Sequence, residues 1–138
     1  MTLDLTSLAQ SIQVLRDSVD DHLRNGAQFS PLQQQTFRSG IIRNFEIAYE
    51  LCWKAMRRWI EKNVSPDVLF GAPRIELFRR AAENGLIDSI ENWMTFHQAR
   101  NNTSHIYSAA IAAEVYETAV RFVPDAETML NNIIARNG

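Results

Sequence analysis

A short polar stretch near residue 100 contains the side chains whose types and spacing best suit chemistry. Arg100, His105 and Tyr107 supply a guanidinium, an imidazole and a phenol, and Asn101 and Ser104 lie between them. A guanidinium binds phosphate or carboxylate oxygens through parallel hydrogen bonds, and an imidazole accepts or donates a proton near neutral pH. The combination suits a phosphate-bearing ligand, so these five residues form the candidate site.

The spacing of this stretch constrains its backbone. In a continuous helix Arg100 and His105 would point about 140° apart and would not face one target. Side chains such as Asn102 and Thr103 also compete for backbone hydrogen bonds and weaken a helix. We therefore predict that a helix ends near Asn101 or Asn102 and that an extended segment follows. Such a segment would direct His105 and Tyr107 to the same side.

Each of these side chains also has a purely structural interpretation. Arg100 would serve as a cation at a helix C-terminus or in a surface ion pair. His105 would be an ordinary loop or capping residue, and Tyr107 an aromatic residue at the edge of the core. Similarly, Glu50 and Lys54 have the spacing of an intrahelical ion pair. The alternative for Glu46, Glu50 and Lys54 is a contact with a second subunit or partner.

The chain must position these residues with helices. Apolar residues recur at spacings of three and four, and no segment shows the alternation that a half-buried strand requires. The fold class is therefore all-α, an antiparallel up-and-down bundle of about five helices in one domain, residues 1–138. The predicted helices run from Leu5 to Asn25, from Pro31 to about Asn63, from Pro73 through Ala82, from Asp88 or Ser89 to about Asn102, and from Ser108 towards Arg136.

Three residues modify this pattern. A bend is expected in the long second helix, whose weakest point is Gly40. Gly85 is well placed to end the third helix in the left-handed conformation, and Pro124 should kink or split the last one. The second helix contains five large aromatic residues, so we expect it to be central in the core: Phe37, Phe45, Tyr49, Trp53 and Trp59.

Composition and motifs exclude several function classes. The 138 residues are 46% hydrophobic and 22% charged, which argues against disorder. There is no glycine-rich phosphate loop, HExxH, CxxC or GxSxG motif, and His22 and His97 are too isolated to propose as ligands. We predict no metal and no cofactor. Cys52 is the only cysteine, so a disulfide framework is excluded and we expect an inert buried thiol in a cytoplasmic protein. No membrane-spanning segment or signal peptide is expected.

The charge balance is uneven along the chain. The net charge is -2, which argues against broad nucleic-acid binding. The basic excess lies in residues 37–80, which contain nine Lys or Arg and five Asp or Glu, and most of the basic residues are Arg. Guanidinium groups on the second and third helices could attract phosphate to one surface.

The Arg-x4-His-x-Tyr motif of Arg100, His105 and Tyr107 resembles the signature of the HEPN superfamily, specifically its HepT-like branch. This branch is also described as the nucleotidyltransferase substrate-binding protein family. Residues 43–54, Arg-Asn-Phe-Glu-Ile-Ala-Tyr-Glu-Leu-Cys-Trp-Lys, are similar to the Phe-Glu-x-x-Tyr-Glu-x-x-Trp-Lys stretch of the family. Leu3, Asp4, Leu5 and Leu8 resemble its N-terminal opening, so the resemblance covers essentially the whole chain.

The resemblance implies a HEPN-like four-helix-bundle core and a homodimer whose Arg-His motifs share one cleft. It implies a metal-independent endoribonuclease, the toxin of a toxin–antitoxin pair, with RNA as substrate. A minimal nucleotidyltransferase would be the antitoxin and would transfer AMP to Tyr107. Arg100 would stabilise the scissile phosphate and His105 would be the acid or base. Asn101 and Ser104 would help to orient the cleft.

Two other functions stay open at this point. One is a non-catalytic subunit that holds a nucleotide or other substrate for the nucleotidyltransferase. The other is a helical interaction module that has lost activity. The intact Arg100, His105 and Tyr107 favour the endoribonuclease and the binding subunit over the inactive interaction module. They do not separate the first two, because a phosphate-binding cleft looks alike with or without turnover.

Overall fold

The computed structural model describes residues 2–137, so Met1 and Gly138, which the predicted domain includes, lie outside the described residues. Five α-helices make up most of this part of the chain, and it contains no strand, so the all-α prediction is confirmed. The helices are α1 Thr6–Asn25, α2 Pro31–Asn63, α3 Arg74–Glu83, α4 Ile90–Asn102 and α5 Ala109–Arg136, with short 3₁₀ turns at Gly26–Gln28 and Thr103–His105.

Polar side chains mark the helix starts. At α2 the Ser30 hydroxyl accepts a hydrogen bond from the Gln33 amide, and the Gln33 side chain accepts one from the Ser30 amide. This reciprocal capping satisfies two donors that a helix start leaves unpaired. Ser89 and Ser108 accept hydrogen bonds at the starts of α4 and α5, so Ser89 rather than Asp88 caps α4.

Two of the three expected modifications leave the helices intact. α2 continues as one helix through Gly40, which is exposed and has no neighbouring atoms where a Cβ would stand. α5 also continues through Pro124, so the prediction of a split there is wrong. Pro124 is exposed, and its neighbours Phe122, Val123 and Ala126 are buried. Packing of that face holds the helix together across the missing backbone hydrogen bond. Gly85 has φ +75° and follows α3, as predicted.

The core places α2 at the centre of the bundle, as predicted, because it packs against all four other helices. Buried residues from every helix join one hydrophobic cluster. Between α2, α4 and α5, the rings of Tyr49, Trp93 and Phe122 lie with centroids 5.6 to 6.4 Å apart. These contacts fix α4 against α2 and so determine which α2 side chains face the end of α4. Within residues 2–137, no helix is both long and apolar enough to cross a membrane.

Candidate functional site

Arg100 lies on the last turn of α4 and faces two carboxylates of α2. Its Nε donates a hydrogen bond to Oε1 of Glu50 at 3.1 Å, and its Nη1 lies 3.9 Å from Oε2 of Glu46. Nη1 also donates to the Thr103 hydroxyl at 3.4 Å. The side chain is 34% exposed, and Nη2 donates no hydrogen bond to any described residue. The ion pair thus orients the guanidinium and leaves one nitrogen to meet a ligand.

The ion pair corrects the interpretation of Glu50 and Lys54 as an intrahelical pair. One Glu50 carboxylate oxygen accepts from Arg100, and the other accepts from Trp53 Nε1 at 3.0 Å. Lys54 instead lies with its ammonium 5.8 Å from the Trp53 ring centroid. Glu50 therefore joins α2 to α4 instead of bracing α2 alone. The structural interpretation of Arg100, an ion pair at a helix C-terminus, holds in this structure, whichever ligand the arginine binds.

The chain after α4 is a tight turn, so the prediction of an extended segment is wrong. Residues Thr103–His105 form a 3₁₀ turn, and the Ser108 amide donates to the His105 carbonyl at 3.1 Å. The Thr103 hydroxyl donates to the Arg100 carbonyl at 2.7 Å, and the Ser104 hydroxyl donates to the Asn101 carbonyl at 3.2 Å. These are the side-chain bonds to backbone that weaken a helix, and here they tighten its end into a turn.

The turn nevertheless brings His105 and Tyr107 together. Their ring centroids lie 6.2 Å apart in an edge-to-face arrangement. His105 is exposed, and Tyr107 is 86% exposed. Asn101 and Ser104 are also exposed. The candidate side chains thus lie on the surface of one chain, where a second molecule can reach them.

A partly buried network beside the site was missed from sequence. The Tyr49 hydroxyl forms hydrogen bonds with Nδ1 of His97 at 2.9 Å and with Nη1 of Arg74 at 3.3 Å. The Asn101 amide lies 3.5 Å from Nε2 of His97. His97 therefore links the core to the candidate site, although it looked isolated in the sequence. Its spacing of three and four from Arg100 and Asn101, which puts all three on one helix face, was the available signal.

Electrostatics favour neutral forms in this network. Burial raises the pKa of the Tyr49 phenol well above its ordinary value. Burial, together with the Arg74 guanidinium, lowers the pKa of His97. Arg74 also stacks on Trp53, with its Cζ 3.7 Å from the ring centroid. A neutral imidazole between two guanidinium groups avoids like-charge repulsion beside Arg100.

Other candidate ligands do not gather into a site. Nowhere among residues 2–137 do three or more His, Cys, Asp or Glu side chains lie together where they could hold a metal ion. Cys52 is fully buried, and burial raises the pKa of its thiol, which keeps it protonated and unreactive. His22 is buried and bonds to Tyr116 and Gln34. Its two ring nitrogens therefore already have protein partners.

Comparisons with known proteins bear on the family and the fold of this chain. Residues 3–135 match the model of the family described as nucleotidyltransferase substrate binding protein like. The chain is similar to a protein of Haemophilus influenzae named probable ribonuclease HepT, with 29% identity over 133 residues, covering 95% of this chain and 87% of that protein. A solved structure from Haemophilus influenzae, described as the fold of a substrate binding domain of a nucleotidyltransferase, superposes with a TM-score of 0.88 at 27% identity. That match covers 94% of this chain and 98% of the other.

Proposed function

As the chain belongs to the nucleotidyltransferase substrate binding protein-like family, we propose that it is a metal-independent endoribonuclease toxin, acting as a single cytoplasmic domain. We further propose that a partner nucleotidyltransferase silences it. One observation carries the proposal: an oriented Arg100 lies beside a turn that exposes His105 and Tyr107 next to each other. A relative named probable ribonuclease supports it.

The residues suit cleavage of an RNA phosphodiester by its own 2′-hydroxyl. An imidazole of His105 accepts the 2′-OH proton while the 2′-oxygen bonds to phosphorus. The bond from phosphorus to the 5′-oxygen then breaks, and a protonated imidazole donates a proton to that oxygen. The Arg100 guanidinium stabilises the negative charge that develops on the phosphorane oxygens. The products are a cyclic 2′,3′-phosphate and a free 5′-hydroxyl.

This chemistry favours a homodimer. Cleavage uses one base and one acid, and each motif supplies a single imidazole in His105. A two-fold axis beside the exposed turn would bring the second His105 to the same phosphate. Asn101 and Ser104 would then line the shared cleft, with Asn101 held by its contact with His97.

Tyr107 is the proposed site of silencing. Its exposed hydroxyl is accessible to a nucleotidyltransferase carrying a nucleoside triphosphate. The phenolic oxygen bonds to the α-phosphorus as the bond to the β-phosphate breaks, pyrophosphate leaves, and the phenolic proton passes to a base or to solvent. The resulting phosphodiester places a negative charge next to His105 and repels RNA.

A second candidate is a non-catalytic subunit that presents a nucleotide or other substrate to the nucleotidyltransferase. The ion pairs of Arg100 with Glu50 and Glu46 favour it, because carboxylates reduce the charge available to a phosphate. The solved relative described as a substrate binding domain supports it as well. Expression of the chain alone separates the two candidates.

The decisive experiment is induction of the chain without its partner, followed by an RNA cleavage assay in chelator. We expect growth arrest and cleavage without added divalent metal, and we expect Arg100→Ala and His105→Ala to abolish both. Glu61→Gln, on the far part of α2, is the control that should keep full activity. Full toxicity in His105→Ala would contradict the catalytic role.

The silencing step has its own test. Co-expression with the nucleotidyltransferase should add one or more AMP masses, which intact mass spectrometry detects and peptide mapping locates. Tyr107→Phe should prevent the addition and stay toxic in the presence of the partner. A mass shift that survives Tyr107→Phe would contradict Tyr107 as acceptor.

A further inference from the structure

A groove adjoins Tyr107, and neither Arg100 nor His105 lines it. It has a volume of about 280 Å³ and lies between the start of α2 and the start of α5. This is near the lower limit of roughly 300 Å³ for small-molecule sites. We call it the Tyr107 groove, and its main lining residues are Gln35, Arg38, Ile42, Tyr107, Ala112 and Ala113. Neither the candidate site nor the comparisons give this groove a role.

The lining combines three kinds of surface. Ile42 and Ala112, together with the neighbouring Ile106, supply apolar contact between the helices. Gln35 supplies amide donors and acceptors, and Arg38 supplies a cation. Flat apolar surface with nearby amides suits a nucleobase, and a guanidinium suits the phosphate attached to it.

The polar lining residues Gln34 and Arg38 contact residues outside the groove, and these contacts orient them. Gln34, which also lines the groove, has its Oε1 2.7 Å from Nε2 of His22, and its amide nitrogen donates to the Gly26 carbonyl. His22 is only 8% exposed, and its Nδ1 bonds to the Tyr116 hydroxyl. The Arg38 guanidinium lies 5.5 Å from the centroid of the Tyr116 ring. A site with positioned walls loses less entropy when a ligand binds.

The position of Tyr107 in the groove lining indicates which ligand the groove would bind. Tyr107 lines the groove with its own side chain, whereas Arg100 and His105 are not among the lining residues. A group attached to the Tyr107 oxygen would therefore reach the groove directly, while an RNA strand centred on His105 would lie beside it.

We propose that the Tyr107 groove seats the nucleoside of an AMP group carried on Tyr107. This inference rests on the proposed modification of Tyr107. With the base in the groove and Arg38 near its phosphate, the adduct is held against the turn next to His105. The groove thereby makes silencing persistent, since a seated nucleoside keeps the negatively charged phosphate on Tyr107 next to His105. No bond forms or breaks in the seating itself.

The first test uses free AMP as the probe and the full chain labelled with ¹⁵N. AMP should shift the amide signals of Ala109, Ala112 and Ala113, three α5 residues that line the groove. Arg38→Ala should weaken this binding about tenfold or more, because it removes a charge-assisted contact to phosphate. Arg121→Ala removes the same charge from an exposed position of α5 outside the groove lining, and it should bind AMP like the wild type.

A second pair of variants tests the groove by filling it, without changing any charge. Ala113→Leu fills the groove from an exposed position and should abolish the AMP-induced shifts. Ala110→Leu adds the same bulk one turn away, also at an exposed position, but Ala110 does not line the groove. It should leave AMP binding unchanged.

The modified protein gives the result that decides the proposal. Protein carrying AMP on Tyr107 should show the same three amide shifts without free nucleotide, and Ala113→Leu should lose them while still gaining the AMP mass. If Tyr107 gains AMP but these amides do not shift, the groove inference is wrong and the proposed modification stands. If no AMP is gained, both are wrong. If an uncleavable 2′-O-methyl RNA shifts these amides and AMP does not, the groove binds substrate and the inference is overturned.

Discussion

Glu50 is the side chain on which the orientation of Arg100 most directly depends. Its carboxylate accepts from Arg100 Nε on one oxygen and from Trp53 on the other. We expect Glu50→Gln to lower kcat for RNA cleavage by roughly 10- to 100-fold, because small misplacements of a catalytic group reduce rates on that scale. KM should change much less, and initial-rate measurements over a range of RNA concentrations would show the split.

Two controls accompany Glu50→Gln. Glu61→Gln breaks a comparable ion pair with Arg57 on the same helix and should leave kcat unchanged. Urea unfolding should give similar midpoints for the two variants. An equal loss of kcat in both variants would mean that the effect comes from α2 stability, and the positioning role of Glu50 would be rejected.

His97 should make stability depend on pH. Burial and the Arg74 guanidinium lower its pKa in the folded chain, so the unfolded chain binds more protons between the folded pKa and the ordinary value of about 6.5. The free energy of unfolding therefore rises with pH across this window and falls as the solution is acidified. His97→Gln should flatten the slope measured by urea unfolding between about pH 5 and 7. An unchanged slope in His97→Gln would refute the assignment.

At the residue scale, the sequence indicated which residues belong to the candidate site. It did not indicate which side chains form hydrogen bonds or ion pairs with them. The motif of Arg100, His105 and Tyr107 could be identified from residue types and spacing, because residues 43–54 and the all-helical pattern resemble the same family. The ion-pair partner of Arg100 could not be predicted from the sequence. Spacing along α2 places Glu50 near Lys54, but it does not indicate which helix packs on that face of α2. His97 was missed for the same reason, because Tyr49 is far from it in sequence.

At the scale of elements, Gly85 and Gly40 differ in whether their positions tolerate a side chain. Gly85 follows α3, and Gly40 lies within α2. Gly85 has φ +75°, and a Cβ there would lie 2.7 Å from Nη2 of Arg136. Gly40 is helical and has nothing near its Cβ position. We expect Gly85→Ala to lower the free energy of unfolding by about 1–2 kcal/mol, the cost of a left-handed alanine.

Gly40→Ala is the matched substitution and should raise the free energy of unfolding by about 0.5–1 kcal/mol, because alanine loses less backbone entropy in a helix. Urea titrations of both variants, with unchanged m-values, measure the difference. Destabilisation by Gly40→Ala would indicate that α2 needs flexibility at this point, as the predicted bend requires.

The helices themselves were predictable because their apolar spacing agrees with the signals at their starts, as with Pro31 and Ser89. The segment after α4 was not. Its polar side chains are compatible with an extended segment and also with a turn in which they donate hydrogen bonds to the preceding carbonyls. The local sequence does not show which of these two conformations is more stable. In the structure Thr103 and Ser104 bond back to Arg100 and Asn101. Packing likewise kept α5 continuous at Pro124, where local propensity predicted a kink or a split.

At the scale of the whole molecule, the position of the motif matters more than the net charge. Ser104, His105 and Tyr107 are exposed, and the basic residues among residues 37–80 lie on α2 and α3. α2 contacts the end of α4 through the hydrogen bond from Arg100 to Glu50, and α3 reaches the Tyr49 hydroxyl through Arg74. A single chain therefore offers a cation and one imidazole on an open surface. Cleavage by acid and base together calls for a second imidazole, which a symmetric dimer supplies.

A heterodimer with a single His105 tests this requirement. Wild-type and His105→Ala chains with different tags are co-expressed and purified through both tags in sequence. If the two imidazoles act as base and acid on one phosphate, the heterodimer should lose tenfold or more of the wild-type cleavage rate, because positioned proton transfer contributes at least that much. Doubly tagged wild-type dimer is the control. A heterodimer with half the wild-type rate would mean that each chain cleaves alone, and the shared cleft would be ruled out.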